Sequence, residues 1–151
     1  MLTRIDHVGI ACRDLEAATA FYEATFGLTV VSRETNSEQG VREAMLVVSD
    51  GPAEASGALA GASYVQLLEP LGPATPVGRF LERRGEGIHH VGYAVADIEA
   101  AMAAVSDTGV RLLDARPRHG SMGASIAFLH PADVGGVLTE LVESRARQNI
   151  S

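Results

Sequence analysis

His7, Gln66, His90 and Glu140 are polar side chains set in stretches that otherwise read as apolar β-strands. In Tyr64-Val65-Gln66-Leu67-Leu68-Glu69, period-two alternation places Gln66 on one face with Tyr64 and Leu68. The same alternation turns Glu69 the other way, toward a strand end followed by Pro70. In the 136–143 stretch Glu140 lies mid-strand among apolar neighbours, whereas Glu143 is terminal. His7 and His90 stand at equivalent places near the starts of their strands, and His89 faces opposite to His90. Two imidazoles, a carboxylate and an amide oxygen form a borderline nitrogen and oxygen set suited to a divalent transition metal. Taken singly, each has a plain alternative: a satisfied core or surface histidine, or an exposed or paired polar residue on a strand. Four such residues at related positions point to a metal centre, because a buried, unpaired Glu140 would be costly.

Glu43 interrupts another apolar strand, in Gly40-Val41-Arg42-Glu43-Ala44-Met45-Leu46-Val47. If its parity turns it inward, apolar surroundings should raise its pKa and suit it to proton transfer. The alternative is a surface residue at the start of a hairpin beside Arg42.

The elements that must position these residues come from an internal duplication. The stretch from His7 to Ala18 reappears, without a gap and 83 residues later, from His90 to Ala101. The shared residues include the His-Val-Gly start, the aspartates Asp14 and Asp97, the glutamates Glu16 and Glu99, and the paired alanines that follow. Each copy predicts a strand, an Asp N-cap and an amphipathic helix. The first helix is expected to turn Leu15, Ala18, Phe21, Tyr22 and Phe26 toward the core and to stop at Gly27. The second runs from Asp97 to about Thr108 and stops at Gly109. Three strands are predicted after each helix: 28–35, 41–48 and 63–68, then 110–115, 124–129 and 136–142. A short helical piece is expected near 76–84, and the 49–62 stretch reads as a surface loop. The fold class is therefore α+β, with two tandem βαβββ modules. Module 1 covers about 1–70, a linker about 71–86, module 2 about 87–143, and a tail 144–151, all within one domain of 151 residues.

Composition narrows the functional classes. The chain is 46% hydrophobic and 21% charged, enough to bury a core. Its net charge of −7 argues against general binding to nucleic acid or anionic membranes, and all twelve basic residues are Arg. No run of 18 apolar residues occurs, so no spanning helix is expected. The lone Cys12 excludes an internal disulfide and fits a reducing cytoplasm. Cys12 aligns with Val95 in the repeat and reads as a core residue.

With these residues in place, the chain resembles the vicinal oxygen chelate (glyoxalase/dioxygenase) superfamily over roughly residues 4 to 143. Within it, the chain is most similar to the methylmalonyl-CoA epimerase family. The supporting stretches are IDHVGIACRDLEAATAFYEATFGL, SEQGVREAML, YVQLLEPLGPATPVGRFLERRGEGIHHVGYAVADIEAAM and GASIAFLHPADVGGVLTELVE. The LLEPLG to TPVGRFLERRGEGIHHV run is the most specific of them. The resemblance implies a curved, cup-like mixed sheet with helices outside and a metal in the cup. The implied ligands are His7, Gln66, His90 and Glu140, with Co2+ first and Mn2+, Ni2+ or Zn2+ as other candidates. Glu43 is implied as a catalytic acid/base, with Glu140 as both ligand and second acid/base; a metal-bound water is the rival for that second role. The implied reaction is epimerisation of (2R)- and (2S)-methylmalonyl-CoA, a CoA thioester, by a homodimer. CoA phosphates would then need a local basic patch, drawn from Arg42, Arg79, Arg83, Arg84, Arg116, Arg118 and His119. Two alternatives stand beside it: another metal-dependent enzyme of the superfamily, of glyoxalase or thiol-transferase type, or a metal-free drug-binding protein of the same fold.

Overall fold

The structure, a computed structural model, describes residues 1–49 and 61–145. In chain order the elements are β1 (Leu2–Ala11), α1 (Leu15–Phe26), β2 (Thr29–Asn36), β3 (Val41–Val48) and β4 (Ser63–Pro70). They continue as α2 (Pro76–Arg84), β5 (Gly87–Val95), α3 (Ile98–Asp107), β6 (Arg118–His119), β7 (Ser125–Leu129) and β8 (Thr139–Glu143). The strands form one mixed sheet in the order β2-β3-β4-β1-β5-β8-β7-β6. The class is α+β, as the pattern of elements predicts. The chain divides into two compact units, Met1–Asp6 with His90–Ser151, and His7–His89. Most of the 49–62 loop and of the 144–151 tail lies outside the described residues. Among the described residues, no helix is long and apolar enough to cross a membrane.

In the His7–His89 unit, β1 pairs in parallel with β4, and β3 lies antiparallel between β2 and β4. Asp14 caps α1 by accepting the Ala17 N–H at 3.1 Å, and Gly27 ends it in the left-handed region at φ 66°. Helix α1 covers the sheet face carrying Cys12, Ala44, Leu46 and Leu67, where Leu15 is the buried anchor. Phe21 and Phe26 correct the expected inward stripe: both are exposed, at 56% and 60%. Phe21 falls off the line through Leu15, Thr19 and Tyr22, and Phe26 sits in the last turn. The two phenylalanines pack on each other and on Tyr22 instead, with ring centroids 5.4–6.0 Å apart.

The opposite face is covered at one end by α2, through Val77 and Leu81 against Ala11, Val41 and Leu68. Thr75 caps this helix by accepting the Gly78 N–H at 3.1 Å, and Pro76 occupies its first turn. Gly78 is required there, because a Cβ would lie 2.3 Å from the Gly72 carbonyl oxygen.

The second unit repeats the plan with different edges. Asp97 caps α3 through the Ala100 N–H at 3.0 Å. Ile98, Ala101 and Met102 of α3 pack on Val95, Ala127, Leu129 and Leu141. The strand expected over 110–115 does not form. Leu112 makes one bridge to Leu129, the Leu113 N–H donates to the Phe128 oxygen at 2.8 Å, and the edge strand is the short β6. The Asp114 carboxylate explains the break: it accepts the Phe128 N–H at 2.8 Å, in the place a strand carbonyl would fill.

Candidate active site

In the His7–His89 unit, strand register brings three candidate residues to one face. Gly9 of β1 stands opposite Gln66, and His7 opposite Tyr64. Met45 of β3 is the cross-strand partner of Gln66, and Glu43 that of Leu68. Directly opposed residues point to the same side of a sheet, so His7, Glu43, Met45 and Gln66 share a face. All four are buried. Glu43, at 2% exposure, borders the apolar cluster that α2 makes with Val41 and Leu68, and is no surface residue of the hairpin. Gln66 Nε2 donates to Glu43 Oε2 at 2.9 Å. That bond orients the amide, and the buried Oε1 accepts no hydrogen bond.

Glu69 points to the other side, as alternation requires. Its carboxylate accepts the Leu15 N–H at 2.7 Å at the start of α1 and an Arg42 N–H at 2.7 Å. Arg42, a candidate for phosphate binding, is therefore paired with a residue that ties β3, β4 and α1 together. Cys12 is buried beneath α1, and burial is the main cause that pushes its thiol up to about 12.

In the second unit, Gly92 of β5 stands opposite Glu140 of β8, and Phe128 of β7 is the partner of Glu140 on the other side. His90 shares that face. Its Nε2 lies 3.4 Å from Glu140 Oε2, and its ring meets the Phe128 ring edge-on, with centroids 5.5 Å apart. Both His90 and Glu140 are nearly inaccessible. His89, on the opposite face, packs edge-on against Phe80 at 5.1 Å, and burial lowers its pKa to about 4. Arg118, a second basic candidate, pairs with Asp114 at 3.2 Å. His130 caps a short turn by accepting the Ala132 N–H at 3.1 Å.

The nitrogen and carboxylate atoms of buried His7, His90 and Glu140 all lie within 4.8 Å of one another and could hold a metal ion. Two imidazoles and a carboxylate, shielded from water, fit a borderline divalent cation. Sequence reasoning missed two residues that bear on this group. Phe128 reads as an ordinary residue of the strand expected over 124–129, and Asp114 as part of the strand expected over 110–115; nothing in their spacing marks either of them.

Residues 6–128 match the Glyoxalase/Bleomycin resistance protein/Dioxygenase superfamily. The "Ethylmalonyl-CoA/methylmalonyl-CoA epimerase" of Cereibacter sphaeroides is 36% identical over 143 residues, 93% of this chain and 98% of that protein. Among solved structures, Streptomyces coelicolor methylmalonyl-CoA epimerase in complex with 2-nitronate-propionyl-CoA is 53% identical, with TM-score 0.88 over 96% of this chain and 99% of that one. The methylmalonyl-CoA epimerase of Mycobacterium tuberculosis is 37% identical, with TM-score 0.86 over 99% and 93% of the two chains. With this agreement of fold and sequence over nearly its whole length, the chain belongs to the glyoxalase/bleomycin resistance protein/dioxygenase superfamily and, within it, to the methylmalonyl-CoA epimerase family of enzymes.

Proposed function

We propose that this protein interconverts (2R)- and (2S)-methylmalonyl-CoA by removing and returning the proton at C2. The observation that carries the reading is Glu43, a buried carboxylate on an apolar strand, facing the same side as His7 and Gln66. The C2 hydrogen of the substrate is acidic because a thioester and a carboxylate flank it. Glu43 takes that proton, and the C–H electron pair moves onto the thioester oxygen to give an enolate. Gln66 holds the Glu43 carboxylate through its Nε2–H, fixing the oxygen that faces the substrate. Return of a proton to C2 from the opposite side completes the inversion, and Glu140 is the second group we assign to that step. The net change is configuration alone, with no atom gained or lost.

His7, Gln66, His90 and Glu140 are the residues we assign to a divalent cation, Co2+ first, with Mn2+, Ni2+ or Zn2+ as substitutes. When bound, such an ion supplies electrostatic stabilisation of charge developing on the thioester oxygen and orients the substrate. A cytoplasmic homodimer is part of the same proposal, and sedimentation of the purified protein tests the dimer.

The decisive experiment incubates chelated and Co2+-reconstituted protein with (2R)-methylmalonyl-CoA in D2O. Deuterium at C2 is followed together with formation of the 2S epimer. Co2+-dependent exchange with inversion is the expected result. Exchange without inversion would remove Glu140 from its acid/base role. No exchange by folded, metal-loaded protein would overturn the epimerase reading.

A further inference from the structure

Asp114 is a buried carboxylate that the proposed chemistry does not use, and its partners lead to the candidate metal group. Its Oδ2 accepts the Phe128 N–H at 2.8 Å, and its Oδ1 accepts from Arg118 at 3.2 Å. The Phe128 carbonyl, in turn, accepts the Leu113 N–H at 2.8 Å. Both backbone polar groups of Phe128 are thus engaged on the side away from β8. Phe128 and Glu140 therefore form a non-hydrogen-bonded pair, the kind in which facing side chains lie closest. The Phe128 ring, held from behind, stands against His90 at 5.5 Å and beside Glu140.

We infer that Asp114 is a positioning residue for the metal-binding pair His90 and Glu140, acting through Phe128, with Arg118 as its counter-ion. The inference rests on the proposed metal site and adds what fixes half of it. In the first unit the equivalent support is the neighbouring strand β2, with Ser32 opposite Met45 just after a register shift between Val30 and Ser32. In the second unit that strand is interrupted, and one side chain takes over its hydrogen bond. A carboxylate does this well, because a charge-assisted N–H···O bond is shorter and stronger than a neutral one. Arg118 offsets the cost of burying the charge. Rigid support of this kind matters because loosening the surroundings of metal ligands weakens metal binding, by about 10–100-fold for outer partners.

The test measures Co2+ affinity and the cobalt absorption spectrum of the metal-free protein, without substrate, at a temperature where circular dichroism shows every variant folded. Asp114→Ala is expected to weaken Co2+ binding by about tenfold or more and to alter the spectrum. Asp114→Asn keeps an acceptor for the Phe128 N–H and is expected to stay within about threefold of the parent, since the backbone hydrogen bond is retained. Phe128→Leu is expected to weaken binding as Asp114→Ala does, and the two changes together to add little, because they act along one path. Unchanged Co2+ affinity and spectrum in folded Asp114→Ala, with only a lower Tm, would overturn the inference and leave Asp114 a structural residue. If Asp114→Ala does not fold, Asp114→Asn and Phe128→Leu decide: normal Co2+ affinity in Phe128→Leu overturns the inference. Absence of Co2+ binding by the parent protein would overturn the metal reading itself, and this inference with it.

Discussion

Gln66 in the first half and Glu140 in the second each stand opposite a glycine of the repeated strand, Gly9 and Gly92. Each also faces a bulky side chain on the next strand out, Met45 and Phe128. Two residues along those strands the halves part: the first carries Glu43 opposite Leu68, the second Ile126 opposite Val142. The surroundings differ as well. Glu43 borders a cluster covered by α2, whereas Ile126 packs with Ala124, Phe128 and Val142. Duplication supplies a frame in which each half sets one buried polar side chain on its last strand, opposite the glycine of its own first strand. In the proposed reaction the base comes from a position where the copies diverge, Glu43 in the first half against Ile126 in the second. A buried carboxylate is expensive, and the chain carries that cost at only one of the two matched positions.

The largest effect should come from removing that divergence. Glu43→Gln retains the shape and an oxygen able to accept from Gln66, but cannot take a proton. Deuterium exchange at C2 is expected to fall by about 10²–10⁴-fold, the usual contribution of a positioned general base. The Tm should stay near that of the parent. A variant that exchanges at the parental rate would show that the asymmetry at positions 43 and 126 is packing alone, and would move the base elsewhere.

A second difference between the halves is α2, which has no counterpart after β8 among the described residues. Leu81 of α2 is buried against the cluster of Ala11, Val41 and Leu68. Truncation to Ala should cost about 2–5 kcal/mol in denaturant unfolding, the usual loss for a buried leucine. Because the cavity would open beside Glu43, the rate of exchange should fall too. The matching cut in the second half, Met102→Ala under α3, should cost similar stability. It lies on the other face of the sheet from His90 and Glu140, so the activity of its folded fraction should be preserved. Equal activity losses in both variants would deny α2 any special tie to the site.

Much of this layout was legible in the sequence because it follows from period and repetition. The offset of 83 residues, the capping aspartates and the alternation in 64–69 place His7, Gln66, His90 and Glu140 on strands without any coordinates. The predicted bounds of β3 and α2 match the observed elements. What could not be read depends on contacts between distant segments. The 110–115 stretch has strand-like residues, yet Asp114 turns inward to Phe128 and the ladder stops. Phe21 and Phe26 are as apolar as any core residue, but the sheet offers α1 a stripe only as wide as Leu15, Thr19 and Tyr22 can fill. Arg42 and Arg118 read as basic residues for a phosphate, and only the fold reveals Glu69 and Asp114 beside them. Helical and strand periods report which way a residue faces. They do not report which side chain from elsewhere arrives to meet it.

The smallest expected effect tests the frame where the halves differ without chemistry. Cys12 and Val95 are matched positions, each buried beneath the helix of its own half. The Cys12 thiol is pushed up to about 12, chiefly by burial and then by the nearby carboxylates Glu69, Glu86 and Asp14. In the unfolded chain a thiol ionises near pH 8.5. Above that pH the unfolded state loses a proton that the folded state keeps, so stability falls as pH rises from about 9 toward 12. Below pH 8 the group makes no pH-dependent contribution. Cys12→Val copies the second half into the first and removes this titration. It should change stability at pH 7 by less than about 1.5 kcal/mol, as near-isosteric apolar exchanges do, and should leave C2 exchange untouched. Between pH 8 and 10 the variant should hold its denaturation midpoint better than the parent. A parent and variant that lose stability in parallel over that range would show that Cys12 ionises as easily folded as unfolded. A large loss at pH 7 would show that the sulfur's contact with the Leu68 carbonyl, 3.5 Å away, has a structural role that Val95 does not need in its own half.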